Sequence, residues 1–234
     1  MPGGLALITG VGRTGQVGET VARTFAERGA RVIVVSRDAG EVASRTAEIR
    51  GAGFDAAGYA CDLADLAAVQ SLAGRVAAEH GGPLDALVNL AGGFAMSGPV
   101  ADSDPEVWAQ MTRINLLTAY CATKAFLPQL RRSRGAIVYF AAAAALPGGS
   151  VSGMWAYAAA KGAVLTLMRA VAAEERDAGV RSNAVAPTAI RTATNLESMG
   201  EGARYVERQE VADAVWYLCS GEARAVNGQV VRLG

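Results

Sequence analysis

Short apolar runs rich in β-branched residues alternate along this chain with longer stretches in which apolar positions recur every three or four residues. The short runs fall at Leu5–Thr9, Arg31–Val35, Ala56–Ala60, Ala86–Leu90, Ala136–Phe140, Arg181–Val185 and Gln229–Arg232. Runs of this length read as strands, and Val32-Ile33-Val34-Val35 is apolar throughout, as a strand covered on both faces must be. Between them the periodicity predicts helices over Gly18–Arg28, Gly40–Arg50, Leu66–Glu79, Pro105–Leu130, Met154–Asp177 and Gln209–Cys219. Repeated strand–helix alternation predicts an α/β fold with a doubly wound, parallel seven-stranded sheet and helices on both faces. Ligands of such sheets sit at the carboxyl ends of the strands. No repeat or break in composition divides residues 1–234, so one domain is expected.

Composition narrows the function classes. The 234 residues are 51% hydrophobic and 19% charged, enough apolar material for a large core. Basic and acidic residues both number 22, so neither a nucleic-acid footprint nor a polybasic membrane anchor is expected. The longest apolar run, Ala136 to Leu146, is too short to span a bilayer. The start, Met1-Pro2-Gly3-Gly4, lacks a charged segment of the signal-peptide type, and a cytoplasmic protein is expected. Cys61, Cys121 and Cys219 stand far apart, and His80 has no ligand-like neighbour. They read as reduced, packed thiols, with no metal site.

After the first strand comes Thr9-Gly10-Val11-Gly12-Arg13-Thr14-Gly15-Gln16-Val17-Gly18, and then a helix. Gly10, Gly12 and Gly15 match G-x-G-x-x-G in a strand–turn–helix setting, where glycines let the backbone approach a pyrophosphate at the helix N-terminus. With the alternation around it, this turn predicts dinucleotide binding in a Rossmann sheet. The second strand closes on Val34-Val35-Ser36-Arg37-Asp38. An acid there would hold the ribose 2′-hydroxyl of NAD, whereas an arginine accommodates the 2′-phosphate of NADP. Ser36 is uncharged, Arg37 follows it, Arg13 sits in the glycine turn, and Asp38 reads as the next helix cap. The expected cofactor is NADP(H), with NAD(H) the alternative.

Candidate chemistry lies further along. The chain has two lysines, Lys124 and Lys161, among its 22 basic residues, and Lys161 stands four residues after Tyr157. On a helix that spacing puts both side chains on one face. An ammonium beside a phenol favours the phenolate, so Lys161 is expected to lower the Tyr157 pKa from about 10 and fit it for proton exchange with a substrate oxygen.

These segments together resemble the short-chain dehydrogenase/reductase family across nearly the whole chain. The resemblance is carried by Thr9-Gly10 with its glycine turn, Cys61-Asp62-Leu63, Asn89-Leu90-Ala91-Gly92, Asn115, Tyr157-x-x-x-Lys161 and Asn183-Ala184-Val185-Ala186-Pro187. It implies a cofactor held by Gly10, Gly12, Arg13, Gly15 and Val17 in the turn and by Ser36 and Arg37 beyond the second strand. Asp62 and Leu63 would contact the adenine, Asn89, Ala91 and Gly92 would line the cofactor, and Pro187, Ile190 and Thr192 would flank the nicotinamide. Tyr157 would be the acid/base, Lys161 its modifier and ribose anchor, and Asn115 the support of a relay water. Blander readings stand beside these: Asn115 as a satisfied mid-helix amide, Asp62 as the cap of the helix near Leu66, Asn89 as purely structural.

The pattern breaks at the fifth strand. In the family a serine stands seven residues after the leading glycine, here Gly135, and hydrogen-bonds the substrate oxygen; that register holds Ala142. Losing one such donor costs about 10²–10³ in rate. Ser150 or Ser152 would have to fold back to replace it. Thr14 and Gln16 take the later glycine positions unless the turn is one or two residues longer, Thr188 follows Pro187 where glycine is usual, and residues 193–208 form a short lid. An open pocket, or a bulky substrate presented by a carrier, would suit such a lid.

Three functions follow. The first is an NADP(H)-dependent reductase of a ketoacyl or cyclic ketone substrate with an atypical site. The second is an NADP-binding pseudoenzyme or partner subunit, and the third a repurposed non-redox cyclase or dehydratase. Pairing of the helices at Pro105–Leu130 and Met154–Asp177, as the resemblance implies, would make a homodimer or homotetramer.

Overall fold

In the computed structural model, which describes residues 1 and 3–234, all seven expected strands form one parallel sheet. They are β1 (Leu5–Thr9), β2 (Arg31–Ser36), β3 (Ala56–Ala60), β4 (Ala86–Asn89), β5 (Ala136–Phe140), β6 (Arg181–Pro187) and β7 (Val230–Leu233), in the order β3-β2-β1-β4-β5-β6-β7. The order reverses between β1 and β4, which run side by side with Leu7 opposite Leu87. A crevice opens at such a reversal beyond the strands' carboxyl ends.

The helices are α1 (Val17–Glu27), α2 (Ala39–Gly51), α3 (Leu66–His80), α4 (Pro105–Met111), α5 (Thr118–Ser133), α6 (Trp155–Glu174), α7 (Ala193–Met199) and α8 (Arg208–Cys219). Two cores result, one on each face of the sheet. Leu7, Ile33, Leu87, Ile137 and Tyr139 meet Phe126, Leu130 and Met168 on one side. Ile8, Val32, Val34, Val88 and Val138 meet Val21, Phe25, Val215 and Leu218 on the other. Alternate residues of each strand feed opposite cores, which is why the strands carry no polar face.

Two local expectations change. Pro105–Leu130 is not one helix: α4 and α5 are joined by a π-helix of six residues, Thr112–Leu117. The segment expected as a short lid contains α7, begun by Thr192, whose side chain accepts from the Asn195 amide. Asp38 caps α2 as expected, accepting from Glu41 N at 2.8 Å. The cap of α3 is Asp65, however, and Asp62 instead pairs with Arg113 at 2.7 Å.

One ion pair closes the far end of the helical layer. Arg131 near the end of α5 grips Glu175, just past α6, through Nε to Oε2 at 2.7 Å and a terminal nitrogen to Oε1 at 2.6 Å. These hydrogen bonds hold the buried Glu175 carboxyl below its ordinary value of 4.5. Its stabilisation is therefore present above that value and lost as pH falls through the lower folded-state pKa. Glu175→Gln should lower stability at neutral pH by about 1 kcal/mol and flatten the acid limb of the stability profile, read as denaturation midpoints against pH.

Candidate active site

The glycine turn is shaped by what cannot fit in it. Gly10 has φ +75°, and a Cβ on it would lie 2.8 Å from the Ala91 backbone, so the ends of β1 and β4 approach without a side chain between them. A Cβ on Gly18, in the first turn of α1, would lie 2.5 Å from the Gly10 carbonyl oxygen, which lets α1 start hard against the turn. Gly18 thus takes the close-packing place, and the turn is the longer form allowed for above. Gln16, the residue before α1, makes no side-chain cap. The helix's first amides remain free to meet an anion. The start of α7 docks on the same turn: Ala193 N donates to Gly15 O at 3.0 Å and Gln16 Nε2 to Thr194 Oγ1 at 3.0 Å.

From this turn a cleft of about 690 Å³ runs over the carboxyl ends of the sheet. It brings together Gly10, Gly12, Arg13, Val17, Ser36, Arg37, Asp62, Leu63, Ala91 and Gly92 on the turn side. Asn115, Tyr157, Lys161, Pro187, Ile190 and Thr192 line it as well. Gly15 and Asn89 do not line it. Gly15 faces Ala193, and Asn89 Nδ2 donates to Thr123 Oγ1 at 3.0 Å, tying β4 to α5. A bare glycine turn at a helix start, an elongated cleft and charged groups at the β2 end fit a dinucleotide.

At the other end of the cleft, Lys161 is fully enclosed and donates from Nζ to the Phe140 carbonyl at 2.7 Å. Loss of hydration pushes its pKa down to about 8. Tyr157, half-buried, has Phe94 edge-on at 5.1 Å, and burial pushes its phenol up to about 12. The expected lowering of the Tyr157 pKa is therefore corrected. Nζ lies 5.8 Å from the Tyr157 ring centroid and donates one hydrogen bond to Phe140 O, while burial acts directly on the phenol.

Asn115 sits in the π-helix, buried, and its amide is used by protein groups. Oδ1 accepts from Gly93 N at 3.2 Å, and Nδ2 donates to Gly93 O at 3.0 Å and Met111 O at 3.1 Å. It clamps the loop after β4 to the cleft floor. A Cβ on Gly92 would lie 2.5 Å from Asn115 Oδ1 and 3.3 Å from Lys161 Nζ, so these groups meet across a bare backbone.

Ala142 follows β5, buried and extended, and precedes a short 3₁₀ turn at Ala143–Ala145. Ser150 and Ser152 are exposed and outside the cleft lining. Ala142 likewise is not among the residues that line the cleft.

The sequence profile of the family described as short chain dehydrogenase matches residues 5–201. This chain belongs to the short-chain dehydrogenase/reductase family. It is 35% identical over 228 residues to inactive 2-(S)-hydroxypropyl-CoM dehydrogenase 2 of Xanthobacter autotrophicus, covering 90% of this chain and 96% of that one. Among solved structures it resembles a gluconate 5-dehydrogenase of Burkholderia cenocepacia in complex with NADP and tartrate. The TM-score is 0.91 at 28% identity, covering 100% of this chain and 94% of the other. It also resembles a variant of actinorhodin polyketide ketoreductase with NADPH: TM-score 0.88, 29% identity, 99% and 97% covered.

In this short-chain dehydrogenase/reductase, several cleft residues escaped sequence reasoning. Phe94, Gly93, Thr194, Asn195 and Ser198 line the cleft, as does Glu41 from the first turn of α2. Gly93 and Phe94 directly follow a recognised motif, which was the available signal. Glu41 looks in sequence like any first-turn acid.

The buried lysine has a measurable signature. With a folded-state pKa near 8 against an ordinary 10.5, the unfolded chain binds more protons between those values, so stability rises with pH across that window. Denaturation midpoints should climb over this range in the wild type relative to Lys161→Met, in which the Lys161 contribution is gone.

Proposed function

We propose that the chain is an NADP(H)-dependent reductase of a carbonyl compound, a ketoacyl or cyclic ketone substrate being the class its family likeness favours. The observation that carries this is the convergence of Tyr157, Lys161 and Asn115 in the cleft that begins at the glycine turn. The nicotinamide, when bound, supplies hydride to the carbonyl carbon. Tyr157 donates from its phenol the proton that the carbonyl oxygen takes up. Lys161 would anchor the ribose near Tyr157, and Asn115 fixes the floor on which both reactants rest.

Preference for the phosphorylated cofactor rests on Ser36 at the end of β2 with Arg37 and Arg13 beside the cleft. NADP or NADPH is also named with both solved relatives above. A homodimer or homotetramer is supported by an apolar groove lined by Trp108, Leu116, Leu117, Tyr120 and Leu167, with Trp108 and Tyr120 exposed. Among the described residues no helix is long and apolar enough to cross a membrane.

A second reading, a cofactor-binding pseudoenzyme, is favoured by Ala142, which offers no donor to a developing oxyanion. One relative carries the word inactive in its name. The two readings part in kinetics. For the reductase, Tyr157→Phe should lower kcat for NADPH-dependent reduction of a β-ketoacyl thioester or cyclic ketone by about 10²–10⁴, with NADPH binding retained. Ala142→Ser should raise kcat by about 10²–10³ if the missing hydroxyl limits the rate. Wild-type and Ala142→Ser proteins that bind NADPH yet leave a broad carbonyl panel unreduced would reject the reductase in favour of the pseudoenzyme.

A further inference from the structure

The carboxyl end of β2 is where a dinucleotide's adenosine ribose is read, an acid accepting from the 2′-hydroxyl and arginine matching a 2′-phosphate. Ser36 occupies that end and is neither. Glu41, five residues on, brings a carboxylate back to the same place. A Cβ on Gly12 would collide with Glu41 Oε2 and lie 3.0 Å from Ser36 Oγ, so carboxylate and hydroxyl converge on one glycine of the turn. Glu41 lines the cleft beside Arg13 and Arg37. Its backbone is fixed by the Asp38 side chain, which accepts from Glu41 N at 2.8 Å. Among the described residues, Glu41, Arg13 and Arg37 form no ion pair. The β2 end thus presents two arginines and one carboxylate, none neutralised by a protein partner.

We propose that Glu41 sets the cofactor preference: its carboxylate accepts from a ribose 2′-hydroxyl and opposes the 2′-phosphate that Arg13 and Arg37 attract. The chain then takes NAD(H) as well as NADP(H), with Glu41 holding back discrimination that the arginines alone would give. This rests on the dinucleotide reading of the cleft. The carboxylate stands at the outer, adenosine end, away from Tyr157, so its effect falls on binding and not on proton transfer.

The test is equilibrium titration of wild type and Glu41→Gln with NADPH and with NADH, followed by nucleotide fluorescence. Arg37→Ala is the opposing control, and thermal unfolding reports the integrity of each variant. Glu41→Gln should tighten NADPH about tenfold and weaken NADH, while Arg37→Ala should weaken NADPH alone. The gain for NADPH should shrink as salt screens the half-exposed site. If the NADPH-to-NADH ratio of Glu41→Gln stays within about twofold of wild type, Glu41 has no such role. Should Glu41→Gln unfold, Glu41→Asp, which withdraws the charge by one methylene, must move the ratio in the same direction or the proposal fails. If wild type binds neither nucleotide, the dinucleotide reading falls and this proposal with it; binding of both with an unmoved ratio removes Glu41 alone.

Discussion

Everything in the cleft depends on β1 and β4 ending against each other with nothing between them. Thr9, the last residue of β1, donates from Oγ1 to Val88 O at 3.1 Å and accepts from Leu90 N and Ala91 N at 3.0 and 3.1 Å. One hydroxyl thereby bonds three backbone groups at the point where the strands diverge. Gly10 then turns away at a positive φ over the Ala91 backbone, which only a residue without Cβ can do here. Because this seam is tight, α1 begins close to the sheet, and the loop after β4 is delivered to Asn115. The glycine turn and the Tyr157 end of the cleft are two outlets of the same seam.

Much of this was legible in the chain because the governing physics is local or repetitive. Strands buried on both faces must be apolar, so Val32–Val35 and Ala136–Phe140 announced themselves, and β1, β3 and β5 came within their observed limits. Helices with one covered face read nearly as well. Among the candidate site residues, those in the motifs after β1 and β4 and in α6 mostly reached the cleft. The exceptions, Gly15 and Asn89, serve the contact with α7 and the β4–α5 tie.

What escaped was set by three-dimensional surroundings. The π-helix between α4 and α5 has the same apolar periodicity as a helix within the error of a short segment, so Thr112–Leu117 gave no warning. The charge states of Tyr157 and Lys161 were inferred from their spacing, yet depth outweighs spacing: both are pushed toward their neutral forms by loss of water. Glu41 belongs to the cleft only because α2 starts immediately after β2 and turns its first face to Gly12.

A π-turn is an α-helix carrying one residue too many for its hydrogen-bond ladder. The stretch from Pro105 to Ser133 therefore has a length counted against the cleft and not merely against the sheet. Removing any single residue within Thr112–Leu117 would let the ladder close as regular α-helix. The helices on either side would keep their phase, and the residues within the turn would shift by one place, roughly 100° around the axis. Asn115, inside the turn, would lose Gly93. The extra residue thus sets where Asn115 meets the cleft without moving the helices that flank it.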